Sequence, residues 1–393
     1  MLGFSGASSA GVDKAAMAAR AASEGSWSEL AVLLALIDAL DDGKLYSAAL
    51  GEVLEESYQV FKYYGGAADK INGDTIETSP AKLAYVLREP LGVCGQIISW
   101  NYPFMMLAWK VASALACGNT VVLKPAEQTP LSAMYFGKFI QEADLPPGMV
   151  NIIPGPGSEA GKTLAEQTDV DKVAFTGSTN TGRMIMRSAV TDLKNITLEY
   201  GGKSPCITHM GIISNQGEVE DIYDEFLYRF AAKARSQKTG DTFTEGNTMG
   251  AIQGKKSGAR LLASGVWHGS KGYFIEPTVF ADTTEDMAIV PEEIFGAMVT
   301  ISKFKAQEEA IERANDTSYG LAAAIFTGKV DRAHIVARKL QAGMVWINSS
   351  QDSHCGIPFG GYKSSDIGRE LGKYALDAYT QAKAVHVNIG LRL

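Results

Sequence analysis

Lys172-Val-Ala-Phe-Thr-Gly-Ser-Thr-Asn-Thr-Gly182 begins as an apolar, β-rich run, breaks at a glycine-serine turn and continues as helix-compatible sequence. Residues 172–176 read as a strand and residues 181–189 as a helix, which puts Gly177 and Ser178 at a strand-to-helix junction. Free N–H groups and the dipole at such a helix start suit a phosphate. Ser178 as an ordinary helix cap fits the same residues.

The flanking chain repeats this alternation. Residues 93–99, 120–123, 149–153 and 196–200 read as further strands, and residues 104–116, 131–143 and 158–166 as helices. Strand-helix alternation predicts a parallel sheet with right-handed crossovers and helices on both faces. Ligands of such sheets bind beyond the carboxyl ends of the strands. Residues 12–65 read as helical, and residues 82–87 as a short strand. A second α/β region has its strands at 274–280, 298–304, 321–326 and 343–347. Gly360-Gly361 closes it, and residues 385–389 form a last edge strand.

The length of 393 residues predicts more than one domain, and an apolar content of 46% is enough for sizeable cores. No apolar run reaches bilayer-spanning length, so a membrane partner is not expected. With 36 basic against 44 acidic residues and no Lys/Arg-rich run, a nucleic-acid partner is not expected either. Cys94, Cys117, Cys206 and Cys355 lie far apart, without zinc-type or disulfide-framework spacing, which fits a reducing compartment. No secretory pattern stands at the start, and a cytoplasmic location is expected. Gly155-Pro-Gly-Ser-Glu-Ala-Gly161 is a second glycine turn between strand and helix, compatible with a ligand loop or with a plain αβ turn.

Several short runs occur together in one order: Trp100-Asn-Tyr-Pro103, Gly118-Asn-Thr-Val-Val-Leu-Lys-Pro125, Phe175-Thr-Gly-Ser-Thr179, Leu198-Glu-Tyr-Gly-Gly-Lys-Ser-Pro205, Gly272-Tyr-Phe-Ile-Glu-Pro-Thr278, Glu292-Glu-Ile-Phe-Gly296 and Pro358-Phe-Gly-Gly-Tyr-Lys363. In this the chain resembles the aldehyde dehydrogenase superfamily, from about Val12 to its end, and most closely the NAD-dependent, non-acylating members. The resemblance implies an α/β fold in three parts. A Rossmann-like parallel-sheet NAD-binding domain takes residues 1–77 and 91–200. A second α/β catalytic-type domain, partly deleted, takes residues 201–370. A small β oligomerisation element takes residues 78–90 and 380–393, and implies a homodimer or homotetramer.

It also implies roles. Asn101 corresponds to the amide that stabilises the oxyanion, a task suited to a neutral donor; a cap for the helix at Pro103 is its plainer reading. Lys124 and Glu127 correspond to the pair that holds the adenosine ribose, where a carboxylate repels a 2′-phosphate and favours NAD over NADP. Gly177 and Ser178 match the pyrophosphate contacts, with Ile98 and Trp100 nearby. Glu293 and Phe295 match residues at the nicotinamide ribose. Glu199 matches the general base that activates the hydrolytic water. Tyr200 stands where the family usually has Leu, so its ring either crowds the base or finds a partner for its hydroxyl.

The family's nucleophile is a thiol that follows a Gln-Gly-Gln-type turn. Here Gly211-Ile-Ile-Ser-Asn-Gln-Gly217 runs directly into Glu218-Val-Glu-Asp-Ile-Tyr223, with no cysteine. Further segments are expected missing near residues 36–42, between Met210 and Gly211 and between Gly254 and Lys255. Cys355, beside His354 in the 349–356 loop that lines the substrate tunnel in relatives, is a weak substitute, since adjacent side chains on an extended loop point apart. Cys206, Cys94 and Cys117 read as packing residues, Cys206 in a buried strand. The implied reaction is aldehyde plus NAD and water to carboxylic acid plus NADH, impaired by the absent thiol. The alternative is a non-catalytic NAD-binding or interaction protein of the same lineage. No residue of the 349–356 loop fixes the aldehyde.

Overall fold

The computed structural model describes residues 27–209, 223–247, 260–270 and 272–390. The segment around Gly217 and the start of the predicted 12–65 helical region lie outside them. So does the junction between Gly254 and Lys255.

The helix Trp27–Asp42 opens the described chain, and the helix Glu55–Ala67 follows. Then come β1 (Thr75–Ser79), β2 (Lys82–Pro90), β3 (Val93–Ile97), the helix Pro103–Ala116, β4 (Thr120–Lys124), the helix Leu131–Glu142 and β5 (Val150–Ile152). The Gly157–Gly161 turn leads into the short helix Lys162–Glu166, then β6 (Lys172–Thr176), the helix Thr179–Asp192, β7 (Asn195–Glu199) and β8 (Cys206–His209). Beyond these lie the helix Tyr223–Arg235, β9 (Arg260–Ser264), β10 (Thr278–Ala281), β11 (Met298–Ile301), β12 (Ala322–Thr327), β13 (Met344–Ile347), β14 (Asp366–Ile367) and β15 (Thr380–Asn388).

The main sheet has the order β14-β7-β6-β3-β4-β5. Its five longer members are parallel, and only β14 runs antiparallel, beside β7. The helix Pro103–Ala116 buries nearly every side chain between this sheet and the N-terminal helices, which is why it reads apolar all round. The strand order reverses at β3, flanked by β4 on one side and β6 on the other. Such a switch point opens a crevice beyond the strands' carboxyl ends, because the crossovers on its two sides leave in opposite directions.

Two smaller groupings follow, the mixed β11-β10-β9 and the parallel β13-β12-β8. The strands expected at residues 82–87 and 385–389 are present and pair with each other in a longer antiparallel ladder, in register from Pro90 opposite Thr380 to Lys82 opposite Asn388. β14 carries no pattern that sequence alone reveals. It comes from the stretch expected in the second domain and joins the first sheet.

Candidate functional site

Most of the predicted site residues sit where the main sheet's strands end. Trp100 and Asn101 follow β3, Lys124 closes β4 and Glu127 follows it. Gly177 and Ser178 follow β6, and Glu199 is the last residue of β7. Parallel strands thus bring these residues to one edge of the sheet. A cleft of about 1330 Å³ borders that edge, lined among others by Trp100, Asn101, Glu293 and Phe295.

The Gly177 N–H donates to the Glu199 carbonyl at 3.1 Å, and a Cβ on Gly177 would come within 2.6 Å of the Phe175 ring. Only glycine fits without displacing that ring. Ser178 is the N-cap of the helix Thr179–Asp192, its Oγ accepting from the Thr181 N–H at 3.3 Å. It is therefore a helix cap, and the N–H groups of the first turn, which no intrahelical carbonyl can reach, face the end of β6. Glu127 is exposed and its Oε2 accepts from the Gly157 N–H at 2.8 Å, which brings the 155–161 turn beside it. Lys124 is 3% exposed, and burial pulls its ammonium pKa down against the opposing pull of Glu127. Trp100 and Phe295 are both partly exposed and meet edge to face, ring centroids 5.5 Å apart. Ile98, by contrast, is packed in the main core and offers only backbone.

Asn101 does not cap the following helix; Tyr102 holds that position, without a side-chain bond. The Asn101 carbonyl instead accepts from Lys44 Nζ at 2.8 Å. Lys44 also pairs with Asp42 at 2.8 Å and lies 4.0 Å from the centroid of the Tyr102 ring. This clamp fixes the backbone of the loop whose amide side chain borders the cleft.

Glu293 reaches across from the second half of the chain, its Oε1 accepting from the Gly202 N–H at 3.0 Å. A Cβ on Gly201 would lie 1.9 Å from the same carboxylate, so the glycine pair next to Glu199 makes room for it. Burial raises the Glu293 pKa, opposed by the Gly202 N–H and Lys203.

Glu199 is 6% exposed. Its Oε2 accepts from Thr176 Oγ1 at 2.9 Å, and Thr176 Oγ1 accepts from Lys110 Nζ at 2.6 Å. Lys110, with no exposed surface, donates in turn to Glu370 Oε1 at 2.6 Å. The result is an unbroken polar path, Glu199–Thr176–Lys110–Glu370, inside an apolar surround. Burial first, and then the Glu370 charge, raises the Glu199 carboxyl, while Lys110 and the Thr176 hydrogen bond pull it down. A carboxylate so placed can take up a proton near neutral pH. Lys110 was legible in the sequence as a lone charge inside the apolar run Met106-Leu-Ala-Trp-Lys-Val111. Glu370 carried no such signal.

Tyr200 does not crowd the base. Its ring turns to the helix Thr179–Asp192, where a Cβ on Gly182 would lie 1.8 Å from it. Its hydroxyl is buried with no partner among the described residues, so that expectation fails too. Cys206 corrects a second expectation: it is exposed and lines the cleft. In β8 the buried residue is its neighbour Ile207, and alternation along a strand sends the two to opposite faces. Cys355 is buried in the main core, 9% exposed. Burial raises all four thiols, Cys94 and Cys117 to about 12.

The aldehyde dehydrogenase family pattern matches residues 27–211 and 219–385. The chain belongs to the aldehyde dehydrogenase family. It is 48% identical over 396 residues to an aldehyde dehydrogenase-like protein of Schizosaccharomyces pombe, covering 91% of this chain and 78% of that one. It is 46% identical over 436 residues to an aldehyde dehydrogenase of Emericella nidulans, covering 96% and 88%. Among solved structures, the NAD+ complex of the Bacillus cereus aldehyde dehydrogenase superposes with a TM-score of 0.91 at 43% identity, covering 96% of this chain and 84% of that one. The stretch unmatched between 211 and 219 is the one in which the sequence lacks a cysteine. Among the described residues no helix is long and apolar enough to cross a membrane.

Proposed function

We propose that this chain keeps the nucleotide-holding and water-activating parts of an NAD-dependent aldehyde dehydrogenase but lacks the nucleophilic thiol, so that oxidation of an aldehyde to its acid is impaired. NAD fits the residues present. The helix start at Ser178 and the glycine at 177 suit its pyrophosphate. Lys124 and Glu127 suit the adenosine ribose, and Glu293 and Phe295 the nicotinamide ribose. When bound, NAD supplies the hydride acceptor.

The chain's own residues would do the rest. The Asn101 amide, on a loop clamped by Lys44, orients a carbonyl oxygen by donating to it. Glu199 takes a proton from water, and the hydrogen-bonded path through Thr176 to Lys110 and Glu370 steadies the proton's new place. What is missing is the covalent step. The observation that carries this reading is that three of the four thiols are buried, and that the fourth, Cys206, has its pKa raised rather than lowered, unlike an activated nucleophile. Removal of a nucleophile elsewhere lowers turnover by roughly 10⁴ to 10⁶, and a loss of that order is expected here.

The alignment with the S. pombe protein extends over 396 residues while using 91% of a 393-residue chain, which supports internal segments absent from this chain. A non-catalytic, NAD-binding role in the same lineage is the second reading, and the same missing thiol favours it. The edge strand β15 suits pairing between copies, and we propose a homodimer or homotetramer in the cytoplasm. Calorimetric titration with NAD, beside an assay of aldehyde-dependent NADH formation, tests the proposal. Binding without turnover supports it, and turnover at the rate of an intact relative refutes it.

A further inference from the structure

Asp366 is the residue directly opposite Glu199 in the β14–β7 ladder. Opposed residues of an antiparallel pair send their side chains to one face, with Cβ atoms about 4.5–5.5 Å apart. Both are buried, Asp366 at 8% and Glu199 at 6% exposure. Glu370 lies in the same interior and is already bonded to Lys110. Among the described residues no ammonium or guanidinium nitrogen bonds directly to Glu199 or Asp366; Lys110 bonds to Glu370 and reaches Glu199 through Thr176. Asp366 Oδ2 accepts from the Gly361 N–H at 3.1 Å, whereas Asp366 Oδ1 and Glu370 Oε2 are buried without a partner among the described residues.

Among the other groups around Asp366, the Arg369 guanidinium pulls its carboxyl down, but by less than burial and the Glu199 and Glu370 charges push it up. Arg369 lies on its own segment, is half-buried and donates to the Gly368 carbonyl. Tyr200, next along β7, faces the helix that carries Arg183. Lys172 on β6 is held by Asn195 and Thr197. Buried carboxylates without a matching cation are costly, and neighbouring like charges do not both ionise at ordinary pH.

We propose that Asp366 is a positioning residue for Glu199, the two facing carboxyl groups titrating as one interacting pair in which Asp366 keeps its proton and leaves Glu199 free to ionise. The direction of both shifts agrees: burial raises each, and the Glu199 and Glu370 charges raise Asp366 further. The pair separates roles as paired acids do, one held neutral and the other available as base. The catalytic meaning of this pairing rests on Glu199 being the water-activating base, but the pairing itself can be read without substrate or NAD.

The test is a pH titration of the full chain carrying ¹³C-labelled Asp and Glu carboxyls, assigned through Glu199→Gln and Asp366→Asn. In the unaltered protein both signals should titrate in two steps, each sensing the other's midpoint, with Asp366 still protonated at neutral pH. Glu199→Gln should lower the Asp366 midpoint by about one pH unit or more. Asp366→Asn, which mimics the protonated acid, should reduce Glu199 to a single step. An Asp366 signal already ionised at neutral pH, or one that ignores Glu199→Gln, overturns the proposal. If a variant fails to fold, the two-step curves of the unaltered protein still decide. A failure here leaves Glu199 as the base untouched, because that role is read from water activation and not from this titration.

Discussion

Replacing Lys110 with Met is the most demanding perturbation of the buried path. Lys110 has no exposed surface and its partner Glu370 only 7% side-chain exposure, so the pair is shielded from water. Removing one member of such a pair leaves the other uncompensated and costs about 3–5 kcal/mol. The hydrogen bond to Thr176 at 2.6 Å is lost as well, adding about 1 kcal/mol. The cost should depend on pH. Without the ammonium, which pulls the Glu199 carboxyl down, Glu199 gains further in pKa in the folded state. A group raised on folding contributes its full stability below its unfolded pKa of about 4.3 and loses that contribution as pH rises. The Lys110→Met deficit should therefore be small in mild acid and largest above neutrality. Lys110→Met/Glu370→Gln should recover most of it, because neither charge is then stranded. Urea denaturation followed by circular dichroism, in mild acid and in mild base, measures all of this. A deficit under about 1 kcal/mol in base, or a double variant less stable than Lys110→Met alone, would refute the buried-pair reasoning.

Tyr200→Phe removes a buried hydroxyl that has no partner among the described residues, and should leave stability unchanged or raise it by about 1 kcal/mol, measured by the same denaturation. Native-state alkylation should modify one thiol ahead of the other three; peptide mass mapping should place the label on Cys206, and Cys206→Ser should abolish the early phase. Burial and the Asp42 charge raise Asp38 from 3.8 to about 6, so its contribution is complete below 3.8 and lost as pH climbs through about 6. Asp38→Asn should flatten that part of the stability–pH curve by up to about 2–3 kcal/mol, read by thermal unfolding across the window.

The parallel sheet was legible because each of its long strands is a short β-rich run bounded by turn residues. The strand-to-helix junction then located Gly177 and Ser178, while the resemblance to the family supplied Glu199 and Lys124. What stayed hidden depends on partners distant in sequence. Glu370 meets Lys110 across 260 positions, and β14 is a two-residue strand too short to carry a period. Cys206 was misread because apolar character alone does not say which face of a strand a residue occupies. Tyr200 was read only against Glu199, its sequence neighbour, whereas its ring packs on Gly182, a helix away. The Lys44 clamp on Asn101 was equally out of reach, since an exposed-looking lysine after Asp42-Gly43 gives no hint of the carbonyl it holds.

The absence of an activated thiol is tested most directly by rapid mixing. Protein saturated with NAD is mixed with excess aldehyde, and the reduced-nicotinamide absorbance is followed through the first turnover. A flat trace from protein that binds NAD in the same buffer is the expected result. A burst approaching one equivalent of NADH per chain would contradict the account and show that some side chain of this protein holds the aldehyde covalently.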